Sequence, residues 1–173
     1  TKLAGGRRIG THDIQWSSVA GQDAFWAPGA IQGGAANNAN VSLVHAGTGA
    51  TLHELVTPYG EQADVNHLQM LENDTVAFLS LRQADALALF NVTPGAAGGG
   101  TMRWIVGGAH GAWPIRDLDA GVVHAPGSTV WRGQHNAEYV GEGTYYLFDD
   151  QGLGNASRLL ALTVDEAARE ATI

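Results

Sequence analysis

Three stretches of this chain open with histidine at intervals of 55 and 68 residues: His12-Asp13-Ile14-Gln15-Trp16, His67-Leu68-Gln69-Met70-Leu71 and His135-Asn136-Ala137-Glu138-Tyr139. Recurrence at such a period marks a repeat architecture, in which one supersecondary unit buries its apolar face on the next copy. In the second and third copies a polar turn follows, Glu72-Asn73-Asp74 or Gly141-Glu142-Gly143, and then an apolar run, Thr75-Val76-Ala77-Phe78-Leu79 or Thr144-Tyr145-Tyr146-Leu147-Phe148. Each such pair reads as a hairpin. A second hairpin closes each copy: Val41–Val44 with Thr51–Leu55, Ala86–Phe90 with Thr101–Val106, and Arg158–Leu162 with Glu170–Ile173.

Four short antiparallel strands per unit make the blade of a β-propeller. The expected fold is all-β, a single partial propeller domain over 1–173 with blades at about 11–60, 64–108 and 131–173. A competing reading turns Val164 to Thr172 into a helix, because Asp165-Glu166-Ala167-Ala168-Arg169-Glu170 has helix-forming composition. Propellers close with roughly four to eight blades. The missing blades are therefore expected from the same precursor or from another subunit. The glycine-rich runs at 29–36 and 94–100 read as loops between strands.

At 173 residues the chain has one domain's length, and 45% hydrophobic against 15% charged residues is a globular balance. Nine Lys and Arg against seventeen Asp and Glu give a net charge of -8, which leaves no broad positive surface for a phosphate backbone. Nucleic acid is excluded as an expected partner. No apolar run reaches the ~20 residues of a membrane span, and Thr1 to Arg8 lacks the apolar core of a signal peptide. The expectation is a soluble chain from which any leader has been removed. The absence of cysteine excludes disulfides and thiolate chemistry. Sequons at Asn40, Asn73, Asn91 and Asn155, where composition predicts roughly one, point to glycosylation and to a secreted or extracellular protein, periplasmic if bacterial.

An ordered set of motifs resembles a known family. The run Asp64-Val65-Asn66-His67, then Leu79-Ser80-Leu81-Arg82-Gln83, Met102-Arg103-Trp104-Ile105-Val106-Gly107-Gly108, Gly133-Gln134-His135, Leu147-Phe148-Asp149-Asp150 and Ala156-Ser157-Arg158 is similar to the C-terminal blades of the nucleotide-independent arylsulfotransferases. With Thr11-His12-Asp13-Ile14-Gln15 as the preceding blade's motif, the resemblance covers nearly the whole chain. It implies a six-bladed propeller that moves a sulfuryl group from a phenolic sulfate donor to a phenol acceptor through a sulfohistidine, without a cofactor. It further implies His135 as nucleophile, with His67, Arg82 and His12 around the transferred group. The sequence departs from the family where His67-Leu68-Gln69-Met70 replaces His-x-Asn-Ser, where Arg82-Gln83 replaces Arg-His, and where Asp149-Asp150-Gln151-Gly152 replaces Asp-Asn-Gly.

The chemistry is intelligible from the side chains alone. Sulfuryl transfer needs a regenerable nucleophile, donors for three sulfonyl oxygens, and proton exchange with the phenolic oxygens. Neutral imidazole and the planar guanidinium fork supply these. A turn centred between Asn73 and Asp74 sets His67 opposite Ser80, with Arg82 diagonal to it on the same face. A turn centred on Glu142 sets Asp149 opposite His135, where the carboxylate would orient the imidazole.

Plainer readings accompany each of these. A strand-start histidine is commonly a satisfied rim residue, and Arg82 reads equally as a strand-end cation paired with Asp64 or Asp85. His12, His67 and His135 would also make a three-imidazole metal set, but no short-range ligand spacing supports it and no metal is expected. The alternative to an enzyme is a non-catalytic extracellular propeller module with a structural or assembly role.

Overall fold

The computed structural model describes residues 13–19, 23–29, 40–60, 63–151 and 156–173. The chain is all-β, with no α-helix among the described residues. Strands β1 (Gln15–Trp16), β2 (Ala24–Pro28), β3 (Asn40–His45) and β4 (Thr51–Val56) form sheet 1 in chain order. Sheet 2 repeats the pattern with β5 (Val65–Leu71), β6 (Val76–Leu81), β7 (Ala86–Val92) and β8 (Gly100–Val106). A small hairpin, β9 (Ile115–Asp117) and β10 (Val122–His124), precedes sheet 3, whose meander is β11 (His135–Gly141), β12 (Thr144–Asp149), β13 (Arg158–Asp165) and β14 (Glu170–Thr172). Every pairing is antiparallel except β14 with β9, which adds the hairpin to the edge of sheet 3. None of the three sheets closes into a barrel.

The competing helix does not form, and the closing hairpin of the third copy is corrected in its register. Residues 164–172 form no helix: Thr163, Val164 and Asp165 pair with Thr172, Ala171 and Glu170 across a turn in which Arg169 is left-handed. Helical propensity here yields to burial, because Val164 and Ala171 both enter the core. The closing hairpin therefore uses the far end of β13, while Arg158 to Leu162 pair with β12 instead. Residues 109–130, between two expected blades, supply the extra hairpin β9–β10.

Period-two patterning explains the packing. Along sheet 2, Ala77, Leu79, Leu81, Ala86, Ala88 and Phe90 face sheet 1 in one cluster with Trp26, Leu43 and Leu55. Their neighbours Val76, Phe78, Leu87, Leu89 and Trp104 face sheet 3 in a second cluster with Trp131, Tyr145, Leu147 and Leu162. Sheet 2 is thus covered on both sides, and all six residues of β6 are buried. Sheet 3 alternates, with one face inward and one open, the usual signature of a half-buried antiparallel sheet, whereas β2 of sheet 1 is buried throughout.

Polar side chains stitch the sheets together. Asp74, in a turn where Glu72, Asn73 and Asp74 all have positive φ (50°, 54° and 65°), accepts bonds from Ser17 Oγ (2.5 Å), Ser18 Oγ (2.8 Å) and Trp26 Nε1 (2.9 Å) of the first sheet. Asn and Asp tolerate that conformation better than other non-glycine residues. The inner strands are edge strands, whose unpaired main-chain groups need partners. Gln15 supplies them across the first junction: its Oε1 accepts from Met70 N (2.6 Å) and its Nε2 donates to Met70 O (3.2 Å). Gln69 does the same for Tyr139 across the second, at 2.7 and 3.2 Å.

Candidate functional site

The candidate residues lie where β5 and β11 begin and where β6 turns into β7. His67 follows a bulge between Val65 and His67 and pairs with Ser80, as the register argument required. Its Nδ1 lies 3.0 Å from Asp13 Oδ2, which also accepts from Leu68 N at 3.1 Å. Burial pushes the Asp13 carboxyl up, but the hydrogen bonds from His67 and from the main chain of Leu68 and Ile14, with the charge of His67, outweigh it and hold it below the ordinary value. An ionised carboxylate at Nδ1 keeps a proton on that nitrogen and leaves Nε2 as the nitrogen that can exchange one. That Nε2 is buried and has no hydrogen-bond partner.

Arg82 leaves the end of β6 with its N–H bonded to Asp64 O (3.1 Å) and its Nη1 3.6 Å from Asp64 Oδ2. The ion pair anticipated with Asp64 is therefore present, yet Arg82 Nε is buried without a partner. Beside it opens a concavity of about 410 Å³ lined by Arg82, Gln83, Asp85, Arg132, Gly133 and Gln151. Two guanidinium side chains and carboxamides offer donors around this hollow, beside the Asp85 carboxylate. Gly133 (φ 58°) is held there by its N–H to Asp85 Oδ1 at 2.9 Å.

His135 starts β11, half-buried, two residues beyond Gly133, and does not itself line the hollow. It pairs with Phe148, and this corrects the expected register. Glu138 with Tyr146 and Tyr139 with Tyr145 keep the anticipated pairing, but an irregularity between His135 and Glu138 shifts the histidine by one rung. Asp149 is consequently not opposite His135. It is fully buried and accepts from Arg132 N (3.0 Å) and Arg158 Nε (2.9 Å), while Arg158 Nη2 donates to Val130 O (2.7 Å). Between the two, Gln134 is fully buried, donating Nε2 to Leu81 O (3.1 Å) and Ala86 O (2.9 Å), and Asn66 Nδ2 donates to Gln134 O (2.6 Å). This clamps the segment carrying His135 onto the β6–β7 turn.

His12 lies outside the described residues, as does Asn155. Of the remaining sequons, Asn73 is exposed at its turn and Asn91 is exposed within β7, whereas Asn40 is half-buried and donates to Glu54. The other histidines have local roles, such as His53 against Gly99 O at 2.9 Å and His110 stacked on Tyr59 with centroids 4.3 Å apart. Among the described residues no group of three or more His, Cys, Asp or Glu is placed to hold a metal, and no helix is long and apolar enough to cross a membrane. The sequence reading overlooked Asp13, Arg132 and Gln151. Asp13 stood next to His12 in the first repeat, whereas nothing in the linear order brings Arg132 and Gln151 to Arg82.

Comparison with protein-family models, with curated proteins and with solved structures found no match to this chain.

Proposed function

We propose that the three sheets are successive blades of a β-propeller and that the chain carries the transferring half of an aryl sulfotransferase. The observation that carries this reading is the pair of buried, unpartnered nitrogens His67 Nε2 and Arg82 Nε, in two side chains each held by a carboxylate (Asp13 and Asp64), with Arg82 bordering a hollow that a second arginine also lines. In a chain of net charge -8 such a gathering of donors favours approach of an anionic ester. The propeller reading is supported by the repeated meander and by the glutamine bridges between successive inner strands.

In this reading a nitrogen lone pair of His135 attacks the sulfur of the donor, forming an N–S bond as the S–O bond to the aryl group breaks. The departing phenolate takes the Nε2 proton of a doubly protonated His67, which is left as the Nδ1–H tautomer held by Asp13. The acceptor phenol then returns a proton to His67 and attacks the same sulfur, releasing His135. Arg82 and Arg132 hold the sulfonyl oxygens throughout, and the remaining blades come from the same precursor or from another subunit. The protein works in a secreted, extracellular or periplasmic setting and bears glycans at its sequons.

The test uses the protein with 4-nitrophenyl sulfate as donor and phenol as acceptor. Expected are ping-pong kinetics and a sulfated His135 found by mass spectrometry after acid-free quenching. Transfer by His135→Ala at the wild-type rate, or no sulfated histidine in an active preparation, overturns the assignment. A second reading, a non-catalytic propeller module with an assembly role, is favoured by Gln134: the residue next to the nucleophile is fully buried and spent on clamping two sheets. Complete absence of transfer, with His135→Ala unchanged in stability and assembly, selects that reading.

A further inference from the structure

Strand β13 is eight residues long, and β14 covers only part of one of its edges. Pairing joins Thr163, Val164 and Asp165 to Thr172, Ala171 and Glu170, whereas on the other side β12 pairs with β13 from Arg158 to Thr163. The N–H of Val164 bonds Gly143 O on the β12 side. Main-chain groups alternate sides along an antiparallel strand, so those of Leu159, Ala161 and Thr163 turn the opposite way. Thr163 meets Thr172 there. Leu159 and Ala161 meet no strand among the described residues, which leaves two N–H and two C=O groups facing a gap in the sheet.

The gap has two walls. It is a hollow of about 510 Å³ with Leu159, Leu160 and Ala161 on one side, Asp117 and Asp119 of the β9–β10 hairpin on the other, and Ile173 at one end. Leu159 is 70% exposed, and Ala161 and Asp119 are exposed with it, so nothing in the chain fills the space. The main-chain groups of Ile173 are used by β9 and the residue after it: its N–H goes to Arg116 O and its C=O accepts from Leu118 N. The charge of the hollow is one-sided. Arg158, which also lines it, is spent on buried Asp149 (2.9 Å) and on Val130 O (2.7 Å). Asp117 accepts from Ala120 N at 2.8 Å and has His124 Nε2 3.8 Å away, and Asp119 adds a second carboxylate.

We propose that this slot takes an extended basic peptide segment by strand addition, antiparallel to β13, with its main chain on Leu159 and Ala161 and a Lys or Arg reaching the carboxylates of Asp117 and Asp119. The argument joins charge complementarity to four main-chain groups that need partners. It is independent of the sulfuryl-transfer reading. Side chains of the added segment alternate: those level with Leu159 and Ala161 lie on the open face of sheet 3, and the one level with Leu160 turns inward. Main-chain pairing gives affinity whatever the sequence, and the acidic wall selects for positive charge.

The probe is a fluorescein-labelled hexapeptide of alternating lysine and valine, followed by anisotropy, with amide exchange of the protein read residue by residue by NMR. Expected are saturable binding and new protection at the N–H groups of Leu159 and Ala161. Methylating the peptide's main-chain nitrogens, which keeps the charge and removes the pairing donors, should weaken binding at least about tenfold. Asp119→Lys, at an exposed turn position, should weaken it by a similar factor with an unchanged far-ultraviolet spectrum. Equal binding of the methylated peptide, which is charge attraction alone, overturns the proposal. So does indifference to Asp119→Lys, or protection confined to β10 at the end of the sheet. Absence of binding, the result expected if main chain beyond Ile173 fills the slot in a longer protein, overturns it as well.

Discussion

The carboxamide of Gln69 closes on both main-chain polar groups of Tyr139, accepting from its N–H at 2.7 Å and donating to its carbonyl at 3.2 Å. One neutral side chain thereby gives an edge strand what a neighbouring strand would give it. Gln69→Ala strands both groups in a partly buried setting and should cost about 2 kcal/mol. Gln69→Glu, which keeps the acceptor, should cost about half as much. Urea midpoints of the two variants against wild type check the order.

Asp74 ties the first turn of sheet 2 to Ser17, Ser18 and Trp26. Burial raises its carboxyl, but the bonds from Ser17, Trp26 and Ser18 hold it below 3.8 on balance. A depressed folded value means that its ionised form stabilises the fold fully above the ordinary aspartate range, and the contribution is lost as pH falls through the folded value. Asp74→Asn should therefore be less stable than wild type at pH 7, with the gap closing in acid. Thermal melts of both proteins from pH 7 to pH 2 read this directly, and a constant gap speaks against it.

Gly108 turns the chain out of β8 with φ 58°, and a Cβ there would lie 1.8 Å from Ala84 O. The main chain cannot yield by that much locally. Gly108→Ala should cost more than about 3 kcal/mol, beyond what a left-handed φ alone imposes. Gly121→Ala, also left-handed (φ 66°) but with nothing within 4 Å, should cost only about 1 kcal/mol. Chemical denaturation of the two variants separates clash from strain.

For the chemistry, Arg82→Ala should slow transfer by roughly 10² to 10³, the loss of one oxyanion donor. Asp13→Asn should release the His67 tautomer, which nitrogen chemical shifts of the imidazole report even in protein without activity. Wild-type shifts in that variant would detach Asp13 from His67.

The repeat, the meanders and most strand pairings were legible in the residues, because period-two alternation and turn chemistry are local signals. The β5–β6 register was found from its turn, placing His67 opposite Ser80. The same arithmetic failed at His135, since an irregularity in β11 changes the count without changing composition. The run after Val164 left a helix open beside the strand for a different reason: propensity is a weak prior, and the burial of Val164 and Ala171 decides for the strand. Within the site, the His67–Asp13 pairing spans 54 residues and the hollow joins three separate turns. No linear pattern encodes contacts that only sheet stacking creates.

Sheet 2 has no face of its own toward solvent, and this sets how the molecule breathes. Either flanking sheet can lift away by exposing one cluster, whereas the central strands open only when both clusters are lost. Amide protons of β6 and β7 should then exchange with deuterium at the slowest rates, and those of the edge strands β1 and β10 at the fastest. The chain is built outward from its middle, so that partial unfolding begins at the two outer sheets.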